Sequence, residues 1–314
     1  MVKMRLERKV EDMRLNKVNF SELIKQMDSA GGFTAKNLAR AVHIFKEMIE
    51  DKQCKKFLSF PAAVVATGLR GAISEMIDKG LVDVVITTCG TLDHDLARAW
   101  GGKYYHGSFD LDDRELHKKE IHRLGNVIIP SKSYGITIEK NMQPILEDLI
   151  KTKSEWSSRE LCLEFGKRLD DKNSILYQAA RKSIPVYVPG ITDGAFGTNL
   201  LWFSQDNNFK INILQDEKEL SDIAFKNKNT GALIIGGGIS KHHTIWWNAF
   251  SGGLNYAIYI TTATEFDGSL SGARTHEAIS WGKIKGEAKH VNVFGDATVI
   301  LPVMLATIYE KIKP

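Results

Sequence analysis

The sequence predicts an α/β fold: a doubly wound, mostly parallel Rossmann-like sheet with helices on both faces and an N-terminal helical extension. Three observations point there. Compact apolar runs rich in β-branched residues recur along the chain, helical periodicities alternate with them, and glycine, threonine and aspartate collect directly after the runs. Leu38, Val42, Phe45 and Ile49 repeat at helical spacing behind Thr34, which reads as the N-cap. Leu69, Ile73, Met76 and Ile77 repeat the pattern after Gly68. The strand candidates are Val82-Asp83-Val84-Val85-Ile86, Pro185-Val186-Tyr187-Val188, Ala232-Leu233-Ile234-Ile235, Tyr256-Ala257-Ile258-Tyr259-Ile260 and Val291-Asn292-Val293-Phe294. Runs this apolar suit strands covered on both faces. No repeat, low-complexity tract or Pro/Gly-rich linker divides the chain, so residues 1–314 read as one domain, with 1–30 as the N-terminal extension.

Composition bounds the function classes. At 314 residues and 43% hydrophobic content the chain can bury a sizeable core. Its 42 basic and 38 acidic residues give a formal charge of +4, too mixed to announce a nucleic-acid partner. Cys54, Cys89 and Cys162 are odd in number and widely spaced, which suits neither a disulfide framework nor a zinc knuckle and points to a reducing cytoplasm. No signal-peptide core opens the chain, no apolar run is long enough to span a bilayer, and no carboxylate-histidine spacing argues for a metal. A soluble protein is expected.

In a doubly wound sheet, ligands collect beyond the carboxyl ends of the strands. Gly236-Gly237-Gly238 follows Ile235 directly, and glycine there lets backbone amides approach a phosphate. Thr87-Thr88-Cys89-Gly90, Thr261-Thr262-Ala263 and Asp296-Ala297 supply hydroxyl, amide and carboxylate groups at equivalent ends. Four such ends converging suggest one dinucleotide. A helix N-cap is the competing role for Asp296, and the two roles are compatible.

Lys283 follows Trp281-Gly282 and precedes Ile284, so it can be partly desolvated, which lowers an amine's pKa and frees it for Schiff-base formation. Glu277 and Trp281 are four apart and share a helix face, whereas Lys283 on a continuing helix would be turned about 120° away from Glu277. Gly282 can end the helix and swing Lys283 back toward them. Lys285 is the rival nucleophile, and the physics of the sequence does not separate the two.

Gly236-Gly237-Gly238-Ile239-Ser240-Lys241-His242-His243, Thr264-Glu265-Phe266-Asp267-Gly268-Ser269, Ser271-Gly272-Ala273-Arg274 and Trp281-Gly282-Lys283 occur in this order, preceded by Thr87-Thr88-Cys89-Gly90, His122-Arg123-Leu124-Gly125-Asn126 and Thr192-Asp193-Gly194. Together they resemble the deoxyhypusine synthase family, in its archaeal type, from about Phe57 to near the C-terminus. The resemblance implies NAD as cofactor, with Thr88, Cys89, Gly90, Asp193, Gly237, Thr262, Ala263, Asp296 and Ala297 at matching positions. It makes Lys283 the nucleophile, and His242 the base that takes a proton from a polyamine's central nitrogen. Adjacent histidines do not share a helix face, so only one of His242 and His243 can point inward. Asp93, His94, Thr198, Gly268, Ser269, Leu270, Glu277 and Trp281 fall on the donor's positions.

Two departures stand out. Pro61-Ala62-Ala63-Val64 replaces polar residues that relatives place near the cofactor, and His94, Thr198 and Leu270 stand where acids are expected, leaving Asp93, Glu277 and nearby Asp267. The implied reaction moves a 4-aminobutyl group from spermidine to one lysine of the hypusine-containing translation factor precursor. A preference for another donor such as agmatine, transfer to a free diamine as in a homospermidine synthase, and a catalytically silent NAD-binding regulator are the alternatives. Relatives assemble as homotetramers with sites between paired subunits, where an N-terminal segment such as Met1 to Asn19 can cover a neighbouring site.

Overall fold

The computed structural model describes residues 8–311. Six strands form the main sheet: β1 (Lys55–Ser59), β2 (Val84–Ile86), β3 (Val186–Tyr187), β4 (Thr230–Ile235), β5 (Leu254–Thr261) and β6 (Ile284–Phe294). Their spatial order is β6-β5-β4-β1-β2-β3, and every pairing is parallel. The register sets Phe57 beside Val84 and Leu58 beside Leu233. The order reverses between β1 and β4, so the loops after these neighbouring strands diverge and leave a crevice at their carboxyl edge.

Both faces of the sheet are covered, which is why the strands read as continuous apolar runs rather than as alternations. Phe57, Val84, Ile86, Ala232, Ile234, Ala257 and Tyr259 pack on one face. Leu58, Val85, Leu233, Ile235, Ile258 and Ile260 face the other, against helices that bring Phe45, Leu96 and Leu301. Each fully buried side chain of this size contributes roughly 1.5–3 kcal/mol, so the sheet is the thermodynamic centre of the fold.

The helix expected after Gly68 runs Leu69–Asp78. The helix expected behind Thr34 instead starts at Phe33, with Gly32 at the N-cap position, and Thr34 lies in its first turn. The preceding helix, Phe20–Ala30, ends on Gly31 in the left-handed region, and a two-glycine turn brings the chain straight into the next helix. Within the segment read as an extension, Phe20–Ala30 packs against Phe33–Glu50 and Ala297–Lys311, and Ile24 is fully buried. Met1 to Glu7 of the segment considered as a cover for a neighbouring site lie outside the described residues.

Among the elements that escaped the sequence pattern, two bear on the main sheet and its crevice. Central strand β1 opens on two lysines and has only a short apolar stretch. A three-stranded antiparallel sheet of Tyr105–His106, Val127–Pro130 and Ile121–Leu124 stands apart from the main sheet. The last strand is also longer than its apolar run, because β6 is an edge strand and its first half alternates.

Candidate functional site

Two cavities open at the carboxyl side of the sheet. Tyr259 and Ile260 are consecutive in β5 and therefore project to opposite faces, Tyr259 lining one cavity and Ile260 the other.

The cavity on the Ile260 face is a crevice of about 480 Å³ at the switch between β1 and β4. Gly236 after β4, Thr261 and Thr262 at the end of β5, and Gly295, Asp296, Ala297 and Thr298 after β6 form its polar side. Pro61, Ala63 and Val64 after β1, with Phe109, Leu124 and Val127, form its apolar side. Asp296 Oδ1 accepts from the backbone N–H of Thr298 at 2.6 Å, as a helix cap does, while Oδ2 has no protein partner among the described residues. Both roles foreseen for Asp296 are therefore geometrically open. Of the other positions matched to the cofactor, Thr262 and Ala297 line the crevice, and Ala263 follows directly. Gly237 is pressed against Ser271, where a Cβ would overlap. Thr88 and Cys89 are at the start of helix Cys89–Ala99, and Gly90 packs against Ala62 in the segment that lines the crevice. Asp193 is exposed in the turn after β3.

The cavity on the Tyr259 face is about 310 Å³ and is lined by His242, Leu270, Glu277, Trp281 and Lys283, all foreseen from the sequence, together with Lys241, Tyr259, Trp246 and Arg274. Helix Thr275–Ser280 carries Glu277 and is capped at Trp281. Gly282 takes φ +65°, its N–H donates to the Ile279 carbonyl at 2.9 Å, and the Lys283 N–H donates to the Ala278 carbonyl at 2.9 Å. This is a Schellman closure, and it returns Lys283 to the face of Glu277. The Lys283 ammonium lies 5.4 Å from the Trp281 ring centroid and 5.9 Å from that of Trp246. Lys285 is placed otherwise: its ammonium donates to the Lys228 carbonyl and to Asn255 Oδ1, each at 3.0 Å.

Helix Gly238–Phe250 starts at the crevice's glycine turn and carries Lys241 and His242 into the second cavity. His242 stacks on Trp246 with ring centroids 5.9 Å apart. Burial, then the charge of Lys283, holds its imidazole below the usual histidine range. His243 turns elsewhere, to Glu217 and Trp247. Sequence reasoning missed Lys241. It is almost fully buried, and desolvation pushes its ammonium down to about 8 while Glu277 opposes the shift. Its spacing with Ile245 and Asn248 on the helix's buried face was the available signal.

Asp93, His94 and Thr198 are not brought into this cavity. Asp93 is buried and accepts from the backbone N–H groups of Phe196 and Ala195 at 2.7 and 3.0 Å and from the Tyr134 hydroxyl at 2.8 Å. His94 Nδ1 meets the Tyr104 hydroxyl at 2.8 Å, and desolvation lowers its imidazole to about 4. The Thr198 hydroxyl donates to the Gly194 carbonyl. Gly268 and Ser269 form an exposed turn held by Asp267, beside cavity residue Leu270. Among the described residues, no group of three or more His, Cys, Asp or Glu could hold a metal, and no helix is long and apolar enough to cross a membrane.

The family model for deoxyhypusine synthase matches residues 22–308. The chain is 51% identical over 304 residues to a probable deoxyhypusine synthase of Sulfurisphaera tokodaii, covering 96% of this chain and 97% of the relative. It is 52% identical, with the same coverage, to a probable deoxyhypusine synthase of Thermoplasma volcanium. A crystal structure from Entamoeba histolytica, solved as a deoxyhypusine synthase candidate, superposes with a TM-score of 0.64 over 96% of both chains at 20% identity, a likeness of fold. With a match spanning nearly the whole chain and half of its residues identical to these relatives, the protein belongs to the deoxyhypusine synthase family.

Proposed function

We propose that this chain transfers a 4-aminobutyl group from spermidine or a related polyamine to one lysine of a hypusine-containing translation factor precursor, through an imine on Lys283. The observation that carries the reading is the convergence of the Lys283 amine, the His242 imidazole and the Glu277 carboxylate on one cavity. Glu277 pairs with an ammonium of the donor, and the Trp246 and Trp281 rings flank the reacting amine. His242, held neutral at pH 7 by burial, accepts the proton released at the donor's central nitrogen.

The crevice residues fit a dinucleotide: among the described residues Asp296 Oδ2 and the Thr262 hydroxyl have no protein partner, and Pro61, Ala63 and Val64 themselves offer only backbone groups as polar contacts. When bound, NAD would supply a hydride acceptor for donor oxidation and, once reduced, a hydride donor for the product. The Lys283 amine displaces 1,3-diaminopropane from the oxidised donor and holds the four-carbon unit as an imine. The acceptor lysine then takes that unit, and Lys283 leaves as free amine.

Mass spectrometry of the translation factor, incubated with the enzyme, NAD and spermidine, tests the reading. Butylamine added to one acceptor lysine, with 1,3-diaminopropane released, is the expected result. Transfer only to putrescine, or no product and no NADH with any amine, overturns it.

A further inference from the structure

Phe109 is a large apolar side chain that the fold leaves 68% exposed, beside the turn of a hairpin to which its loop is tied. The loop that carries it is tied to the hairpin Ile121–Leu124/Val127–Pro130 by the Gly107 N–H, which donates to the Asn126 carbonyl at 2.8 Å. Gly125 occupies the hairpin turn with φ +60°, and a Cβ built there would sit 3.2 Å from Phe109 Cε1. Glycine suits this left-handed turn, and a side chain there would press on the ring, which would have to give by a few tenths of an ångström. Arg123 braces the arrangement, donating to the Gly125 carbonyl at 3.0 Å and to both Asp113 carboxylate oxygens at 2.6 Å.

This scaffold belongs to the small antiparallel sheet, not to the six-stranded one, yet Phe109, Leu124 and Val127 wall the crevice together with Asp296 and Thr262. An aromatic ring on the apolar side of a crevice whose other side is hydroxyl, carboxylate and glycine backbone is a stacking surface for a planar base. A dinucleotide has two ring systems, and the one that reacts has to reach Lys283, which lies on the other face of β5. The base left for the Ile260 face is the one that takes no part in the chemistry.

We infer that Phe109, propped by Gly125, is the platform on which the adenine of the dinucleotide stacks. The inference rests on the cofactor reading above and adds the place of the adenine and the residues that grip it.

Calorimetric titration of NAD, ADP-ribose and nicotinamide mononucleotide into the full chain and into Phe109→Ala and Phe109→Trp tests this. Phe109 is exposed, so both variants should fold, which circular dichroism checks. Phe109→Ala is expected to weaken NAD and ADP-ribose about tenfold, the size of one lost base–aromatic stack, to leave nicotinamide mononucleotide as it is in the unchanged chain, and to be rescued by Phe109→Trp. Equal affinities of the unchanged chain and Phe109→Ala for ADP-ribose overturn the platform while leaving the cofactor reading standing. Loss confined to nicotinamide mononucleotide overturns the assignment to adenine. An unchanged chain that binds no NAD overturns the cofactor reading and this inference together.

Discussion

The Lys241 ammonium lies 4.2 Å from the centroid of the Tyr259 ring, on the inner wall of the cavity that Lys283 also lines, and donates to the Ala273 carbonyl at 2.8 Å. The Tyr259 hydroxyl beside it is buried with no hydrogen-bond partner among the described residues. Two polar groups are thus held dry beside Glu277, at a cost in stability that the folded state tolerates at this cavity.

That cost has a pH signature. Burial lowers the Lys241 amine to about 8 from an ordinary 10.5, so between these values the unfolded chain carries a proton that the folded chain lacks. Stability should therefore rise with pH across this window, by about 1.4 kcal/mol per unit from this group. Thermal midpoints of the unchanged chain and of Lys241→Met, measured from pH 7 to 10.5, should converge or cross in that direction. Parallel curves would remove the desolvated amine from the account.

For the two neighbouring lysines the expectations diverge. Lys283→Ala should abolish transfer while NAD binding persists, and Lys285→Ala should be mild, because the Lys285 ammonium is held by Lys228 and Asn255 outside the cavity. Borohydride reduction during turnover should fix the four-carbon adduct on the peptide bearing Lys283. Digests resolving an adduct on Lys285 alone would sink the assignment.

Asp93 joins helix Cys89–Ala99 to the start of helix Ala195–Asp206 and to Tyr134, with both carboxylate oxygens engaged. Asp93→Ala should cost about 3 kcal/mol or more, since one buried and two partly buried donors lose a buried carboxylate acceptor. Asp93→Asn, keeping one acceptor oxygen, should cost less. Denaturant midpoints measure both, and a variant of full stability whose only defect is a raised donor KM would show that Asp93 acts on the donor instead.

Among the described residues, the Lys283 cavity offers a polyamine one carboxylate, Glu277, against Lys241, Lys283 and an Arg274 already paired with Glu265. Leu270 occupies a position where an acid is expected, so Leu270→Asp should tighten spermidine by about tenfold or more. Initial rates with spermidine, agmatine, putrescine and homospermidine should show weak spermidine use in the unchanged chain, or a preference for a guanidinium donor able to pair with Glu277 in two bonds. Tight spermidine binding that Leu270→Asp leaves unaltered would refute the expectation.

Local sequence was enough to place what depends on neighbours along the chain. Apolar runs gave four of the six sheet strands nearly in full, Gly68 marked a helix start, and Trp281-Gly282-Lys283 wrote out a helix stop whose carbonyls and N–H groups are a few residues apart. The resemblance named Lys283, His242, Glu277, Trp281 and Leu270, which line one cavity, while helix spacing and one left-handed glycine fix only the relative directions of Glu277, Trp281 and Lys283. Tertiary structure alone decided the rest. Central strand β1 begins with charged residues and is a strand because β2 and β4 complete its hydrogen bonds. Asp93 reads as a free carboxylate until residues more than a hundred positions away, Ala195 and Phe196, bring their N–H groups to it. Lys241 and Lys285 look alike as surface lysines in sequence, and only the packing of helix Gly238–Phe250 on β5 buries one amine while the other finds the Lys228 carbonyl. The physical reason is the same each time: a side chain's solvation and partners are properties of the assembled fold, whereas helix stops and strand periodicity are properties of the adjacent chain.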